Sequence, residues 1–176
     1  YSIISEGLWQ TGLWHGECND KYKPGGEKGH SMGGLFKPSK GDGDISIHHN
    51  LFAHNGNRNP AVGSYSDSQS FRADIRNNVI YNCPSMGYTS GKSKKMQVNY
   101  VGNYGIFGPS SKSDDLFKGN ADNKVTLYKK DNRLDKDKDK SFDGKDHGSS
   151  MFGGDFKTTS SAYTFKAVTT HASKNL

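Results

Sequence analysis

Five of the seven histidines fall between positions 15 and 54, at His15, His30, His48, His49 and His54, and Arg58 follows within Asn57-Arg58-Asn59-Pro60. This is the chemically richest stretch of the chain. Imidazole, amide and guanidinium groups together suit anion binding and the handling of charge beside an anion. His48 and His49 are adjacent, so on one strand their side chains point to opposite faces. They cannot both grip one metal from the same face, and the inward ring is expected to be a hydrogen-bonded core histidine. The two cysteines, Cys18 and Cys83, make no C-x-x-C pair. That argues against zinc and leaves free thiols or a single disulfide equally open. The close acidic pair Asp42 and Asp44 lies in a Gly-rich stretch. It is a weak basis for the paired carboxylates that a glycoside hydrolase needs.

The charge around this patch is mildly basic. Net charge is +6, and residues 1–109 and 110–176 contribute equally. Such a field favours a polyanionic partner. Nucleic acid is one polyanion, but the chain has no basic helix, RNA-binding motif or finger spacing, so no nucleic-acid partner is expected. No apolar stretch approaches a membrane span, and no membrane partner is expected. No signal peptide is visible. The chain opens in the manner of a strand interior at Tyr1 and ends at Leu176 without a terminal signature, which suggests one domain (residues 1–176) truncated at both ends.

The elements that must hold the patch are short of ordinary core. Hydrophobic residues make up 31%, and Leu, Ile, Val and Phe together only about 17%. That is low for an ordered domain. Stacked windings fit this composition, because each buries only a narrow strip against its neighbours. Short β-like runs recur at Ile45 to Phe52, Ala73 to Asn82 and Met96 to Gly105, with a weaker one at Leu116 to Asn120. Each carries an asparagine, at Asn50, Asn78, Asn103 and Asn120. The spacing is loose but centred in the twenties, the mark of a solenoid. An asparagine repeated at one turn can bond the same residue above and below it. The competing reading, turns of an antiparallel sandwich, would call for tight hairpin dipeptides at regular short spacing, and these are missing. Helical periodicity is poor throughout. Residues 18–44, with Pro24 and Pro38, read as an inserted loop. Residues 110–148, with the alternation LDKDKDK from Leu134 to Lys140, read as an exposed loop. An Asp-rich loop can bind calcium, but the ordered D-x-D-x-D-G…E pattern is absent. Ala162 to His171 reads as an extended run returning along the body.

Ser46 to Pro60, SIHHNLFAHNGNRNP, resembles the HHN-x-F/Y…R-x-P signature of family 1 polysaccharide lyases, the pectate lyases. The flanks are similar to bacterial members of that family: IISEGL from Ile3 to Leu8, GHSMGGL from Gly29 to Leu35, DIRNNVIY from Asp74 to Tyr81, and NYVGNYGIFGP from Asn99 to Pro109. Five motifs in the right order cover roughly residues 1–112. The resemblance implies an all-β fold, a right-handed parallel β-helix of the single-stranded, pectin-lyase-like kind. It implies a secreted, monomeric enzyme that uses Ca2+ to cleave polygalacturonate, the acidic polysaccharide of pectin, by β-elimination. In that reaction calcium bridges enzyme and substrate carboxylate, and the arginine of R-x-P acts on the C5 proton. The matching residue is Arg58, as the catalytic group. His30, Lys28, His49 and Asn57 are implied as substrate-binding, with His30 preferred over Lys28 for the basic position before HHN. Because arginine normally keeps its proton, stabilising the enolate-like intermediate is the more conservative role for Arg58. Two departures stand out. The family often has R-x-P-x-x-R, and here the second arginine position is Gly63, so Arg72 or Arg76 would have to substitute. The calcium carboxylates are expected on windings before Tyr1, with no metal ligand in this chain, and Glu6 matches no ligand position. A catalytically silent β-helix that only binds carbohydrate is the alternative. The chain alone is expected to be poorly stable and inactive, since an exposed strand edge invites aggregation.

Overall fold

A computed structural model describes residues 2–5, 32–38, 43–65, 70–91, 95–120 and 124–176. An asparagine side chain carries both an acceptor and a pair of donors, so copies stacked one winding apart can satisfy one another. The chain uses this property at one corner. Asn78 Oδ1 accepts from Asn50 N and Nδ2, at 3.1 and 3.0 Å. Asn103 Oδ1 accepts from Asn78 N and Nδ2, at 3.1 and 3.0 Å. Asn132 Oδ1 accepts from Asn103 N and Nδ2, at 3.0 and 3.3 Å. The remaining donor of each lower rung reaches back to a strand carbonyl: Asn78 to Ile47, Asn103 to Ile75 and Asn132 to Tyr100. The rungs are 28, 25 and 29 residues apart.

These windings generate three five-stranded sheets in which every strand pairing is parallel. A corner sheet runs β1 (Ser2–Ser5), β4 (Asn50–Ala53), β7 (Val79–Tyr81), β10 (Tyr104–Ile106) and β13 (Arg133–Asp135). A long-strand sheet runs β3 (Gly43–His48), β6 (Ser70–Arg76), β9 (Lys95–Val101), β12 (Val125–Lys130) and β15 (Phe156–Thr158). A third sheet runs β2 (Leu35–Phe36), β5 (Ala61–Ser64), β8 (Gly87–Gly91), β11 (Phe117–Lys118) and β14 (Phe152–Gly153). This is a parallel β-helix, and no α-helix occurs among the described residues.

Parallel register places like beside like. Phe71, Met96, Val125 and Phe156 form one interior row, and Ala73, Val98 and Leu127 form the next. Ile4, Phe52, Ile80, Gly105 and Leu134 form a row on the corner sheet. Gly105 fits there because its neighbours fill the space, and an added Cβ would lie 2.7 Å from Leu116 Cδ1. A modest aliphatic content therefore suffices: each row needs few residues and is extended by the next winding.

Three sequence expectations shift. The fourth rung is Asn132, not Asn120, which is exposed at the end of β11 on a different sheet. Residues 110–148 are not one exposed loop. They contain β11, β12 and β13, with Leu116, Phe117, Val125, Leu127 and Leu134 buried, and the longest exposed run falls in the later part, from residue 137 on. Charged residues alternate with inward apolar ones in these short strands, which hides them from a composition reading. The segment 18–44 likewise holds β2 and the start of β3. The closing run does return along the body, over the long-strand sheet. Asn99 exchanges two hydrogen bonds with the Tyr163 backbone at 2.9 and 3.0 Å, and Asn77 exchanges two with that of His171 at 2.6 and 2.9 Å.

Candidate functional site

The site begins with the turn that carries the chain from β4 to β5. Its backbone is held from the winding below. Gly33 N and Gly34 N donate to the carbonyls of Asn57 and Arg58 at 2.9 and 2.8 Å, and Met32 bridges to Asn57 in parallel. Gly33 must lack a side chain, because a Cβ would lie 2.5 Å from Arg58 O and 2.7 Å from Asn59 Oδ1. Buried Asn59 donates to the carbonyls of Asn55 and Ser85, at 3.2 and 2.8 Å, and ties the turn to the winding above. Arg58 itself has φ of 61°, and its N–H is bonded to Asn57 Oδ1 at 2.8 Å. Met32 to Gly34 and the NRNP turn are thus one stacked unit.

The half-buried Arg58 guanidinium has no ion pair among the described residues. A second cation lies within reach. Lys37, just past β2, has its Nζ 4.9 Å from the centre of the Tyr65 ring. Burial first, and then the Arg58 charge, hold its pKa below the ordinary lysine value. Sequence reasoning missed Lys37. Its place at a strand end, one winding below Arg58, becomes visible only once β2 is recognised inside a presumed loop.

Beside this pair, the face of the third sheet forms an open groove of about 580 Å³. Asn57 lines one part of it, with Thr89, Ser90, Asp115, Lys118 and Asp155. Asp115 and Lys118 lie 3.8 Å apart, so the groove carries both charges. Asn57 is placed at the groove, with Arg58 the next residue in the chain. His49 is not at the groove. It occupies the turn between β3 and β4 with φ of 56°, so it leaves the strand and its ring meets that of His48, Nδ1 to Nδ1 at 3.0 Å. The expected opposite-face arrangement fails because this left-handed residue breaks the alternation. On its other side His49 packs edge-on against His171, ring centres 5.2 Å apart. Burial, followed by the charges of His48, His171 and Arg76, lowers its pKa. Lys28, His30, Cys18, Glu6 and Asp42 lie outside the described residues.

Gly63 explains why the second family arginine is missing. A Cβ there would stand 1.6 Å from Ser90 O, so no side chain fits without moving β8. Arg72 and Arg76 do not take its place. Both lie on β6 of the long-strand sheet, Arg72 forked onto Asp44 and Arg76 onto buried Asp74. Cys83 is a buried free thiol among the described residues, with its pKa pushed up to about 11, mainly by burial. Nor do the described residues around Arg58 fit a calcium ion. The acidic group among the described residues close enough to share one is Asp135, Asp137 and Asp143, at the end of β13.

The sheets and their stacked asparagines define a parallel β-helix with an open groove on its third sheet. The chain is 37% identical over 143 residues, 79% of its length, to probable pectate lyase C of Neosartorya fischeri and of Aspergillus fumigatus. It is 34% identical over the same length to that of Aspergillus flavus. The chain spans 31% of the length of these curated relatives. No protein-family model and no solved structure matches it. The relatives support a place in the pectate lyase family. They are fungal, so they lend no support to the bacterial affinity of the flanking motifs.

Proposed function

We propose that this chain supplies the Arg58-bearing part of a secreted, monomeric pectate lyase that cleaves a homogalacturonan-like acidic polysaccharide by β-elimination. The observation that carries this reading is the Arg58 guanidinium, fixed through its backbone, free of any described carboxylate partner, near enough to Lys37 for their charges to act on each other, and next in the chain to the groove-lining Asn57. In β-elimination a base, here hydroxide from solvent, takes the C5 proton, which becomes acidic when cations neutralise the adjacent C6 carboxylate. The electron pair forms the C4–C5 double bond, and the C4–O4 bond breaks with its electrons leaving on oxygen, which takes a proton from solvent. Negative charge builds on the carboxylate as the proton departs. A preorganised cation there lowers the barrier, because it is stronger for the developing enolate than for the ground state. Arg58 fills that role, and Lys37 attracts the uronate carboxylate of substrate. The calcium that the family resemblance implies would take its carboxylates from outside the described residues, and the parts played by Arg58 and Lys37 stand without it.

Incubation of the full-length enzyme with polygalacturonate and calcium should give an unsaturated product that absorbs in the near ultraviolet. The closed-off position at Gly63, which removes one cation from the family pattern, favours a second reading, a β-helix that binds the polymer without cutting it. Polymer retention with no rise in absorbance would establish that second reading and end the first.

A further inference from the structure

We propose that the excursion from Asp135 to Lys145 binds a calcium ion through Asp135, Asp137 and Asp143, at a site separate from Arg58. One carboxylate oxygen from each of the three lies within 4.8 Å of the other two. Convergent surface acids alone mean little, and the decisive residue is Asp135. It is 2% exposed, and neither of its carboxylate oxygens accepts a hydrogen bond of normal geometry. The groups nearest to it are the side chain and amide of Asp137 and the Asp143 carboxylate. A buried carboxylate aimed at two others, with no donor to satisfy it, is a costly arrangement unless a cation joins it.

The neighbouring lysines do not resolve this. Lys136 Nζ sits 3.8 Å from Asp114, and Lys138 Nζ donates to Ser111 O at 3.3 Å. Among the described residues none of the three clustered carboxylates has an ion-pair partner. The base of the excursion is rigid. Leu134 and Lys145 exchange backbone hydrogen bonds at 2.9 and 3.2 Å, Arg133 Nη1 donates to Gly144 O at 2.7 Å, and Gly144 N donates to Tyr104 Oη at 2.8 Å. Gly144 packs so closely that a Cβ would lie 2.8 Å from Asp135 N.

All three donors are carboxylate oxygens, which select a hard cation over zinc or copper. Two calcium–oxygen bonds of about 2.3–2.6 Å span up to about 5 Å, whereas magnesium at about 2.0–2.1 Å reaches only about 4.2 Å. Separations bounded at 4.8 Å lie inside the calcium span, and the looser geometry that calcium accepts suits three carboxylates completed by water. The ligands stand at the first, third and ninth places of the segment beginning at Asp135, as in an EF-hand loop. Lys140 holds the sixth place, where that loop uses glycine, and still adopts φ of 73°. Asp139 is turned to Ser141 and Asp146 to Gly148, so water would complete the shell. The register from Asp135 through Ile106 and Tyr81 to Ala53 puts the site three strand spacings, about 14 Å, along the axis from the Arg58 winding.

Calorimetric titration of the protein with calcium chloride, without polysaccharide, tests the site independently of the lyase reading. The expected result is a binding event with a dissociation constant of about 10⁻⁴ to 10⁻³ M and a matching rise in melting temperature, with magnesium at least about tenfold weaker. The D137N/D143N double variant changes exposed residues and should keep the fold while losing that event and its thermal shift; D135N should do the same. Turnover of polygalacturonate by D137N/D143N should stay at the wild-type level. Absence of calcium binding to the wild type at millimolar concentration would overturn the proposal, as would variants that bind the same number of ions as the wild type with the same affinity.

Discussion

Arg58, Arg72 and Arg76 share one side chain and differ in what surrounds it. Arg72 pairs with Asp44 near the surface, both side chains over a third exposed, and lies over the Phe165 ring. An exposed pair of this kind contributes at most about 1 kcal/mol. Arg76 clamps Asp74, which is fully buried. Removing Arg76 leaves that charge unpaired, at a cost of about 3–5 kcal/mol. Urea unfolding should therefore separate Arg76→Met from Arg72→Met by several-fold in lost stability, and equal losses would contradict the assigned roles. Arg58 alone of the three keeps its charge available to a ligand. Lys37 adds a pH signature. Its folded pKa lies below the ordinary lysine value, so it loses its proton, and with it the pull on a uronate carboxylate, at lower pH than a free lysine would. In the window between the folded and unfolded values the unfolded chain binds more protons, so stability itself rises with pH while substrate attraction falls. The rise of KM on the alkaline side should shift to higher pH in Lys37→Arg. An unmoved alkaline limb would remove Lys37 from the site.

At the scale of the winding, the asparagine ladder replaces much of what aliphatic packing does in other folds. Asn103 is fully buried and bonds in both directions along the stack. Asn103→Ala should cost on the order of 1–3 kcal/mol for each partner left unsatisfied. Asn120→Ala, at an exposed position, should cost far less; denaturant midpoints of the two variants check this. The contrast also shows where periodicity ceases to guide. Asn50, Asn78 and Asn103 could be aligned because each follows a strand of similar pattern. The next winding repeats the same order, with β11 and β12 before its corner, and the asparagine beside LFK follows β11 of the third sheet, so it mimicked the rung that belongs to Asn132. The lysines and aspartates of 110–148 concealed three strands whose inward positions are few. His49 could not be placed from sequence, because strand alternation assumes extended backbone and its φ of 56° breaks it.

Across the whole molecule, the three sheets take different partners. The long-strand sheet is crossed by the chain's own closing run, pinned through Asn99, Arg76 and Asn77. The corner sheet carries the asparagine stack at its entrance and the Asp135 excursion at its far end. The third sheet is left open as the groove beside Arg58. The parallel winding was readable from stacked motifs; Lys37 and the closed position at Gly63 were not, since both depend on contacts between windings rather than on neighbours in the chain. The direct test of the account is the rate of near-ultraviolet absorbance gain on polygalacturonate for the full-length enzyme and its Arg58→Ala variant, each with its β-sheet signal and melting temperature measured. The account predicts a fall of about 10²–10³-fold with the fold intact. Turnover within a few-fold of wild type would contradict it.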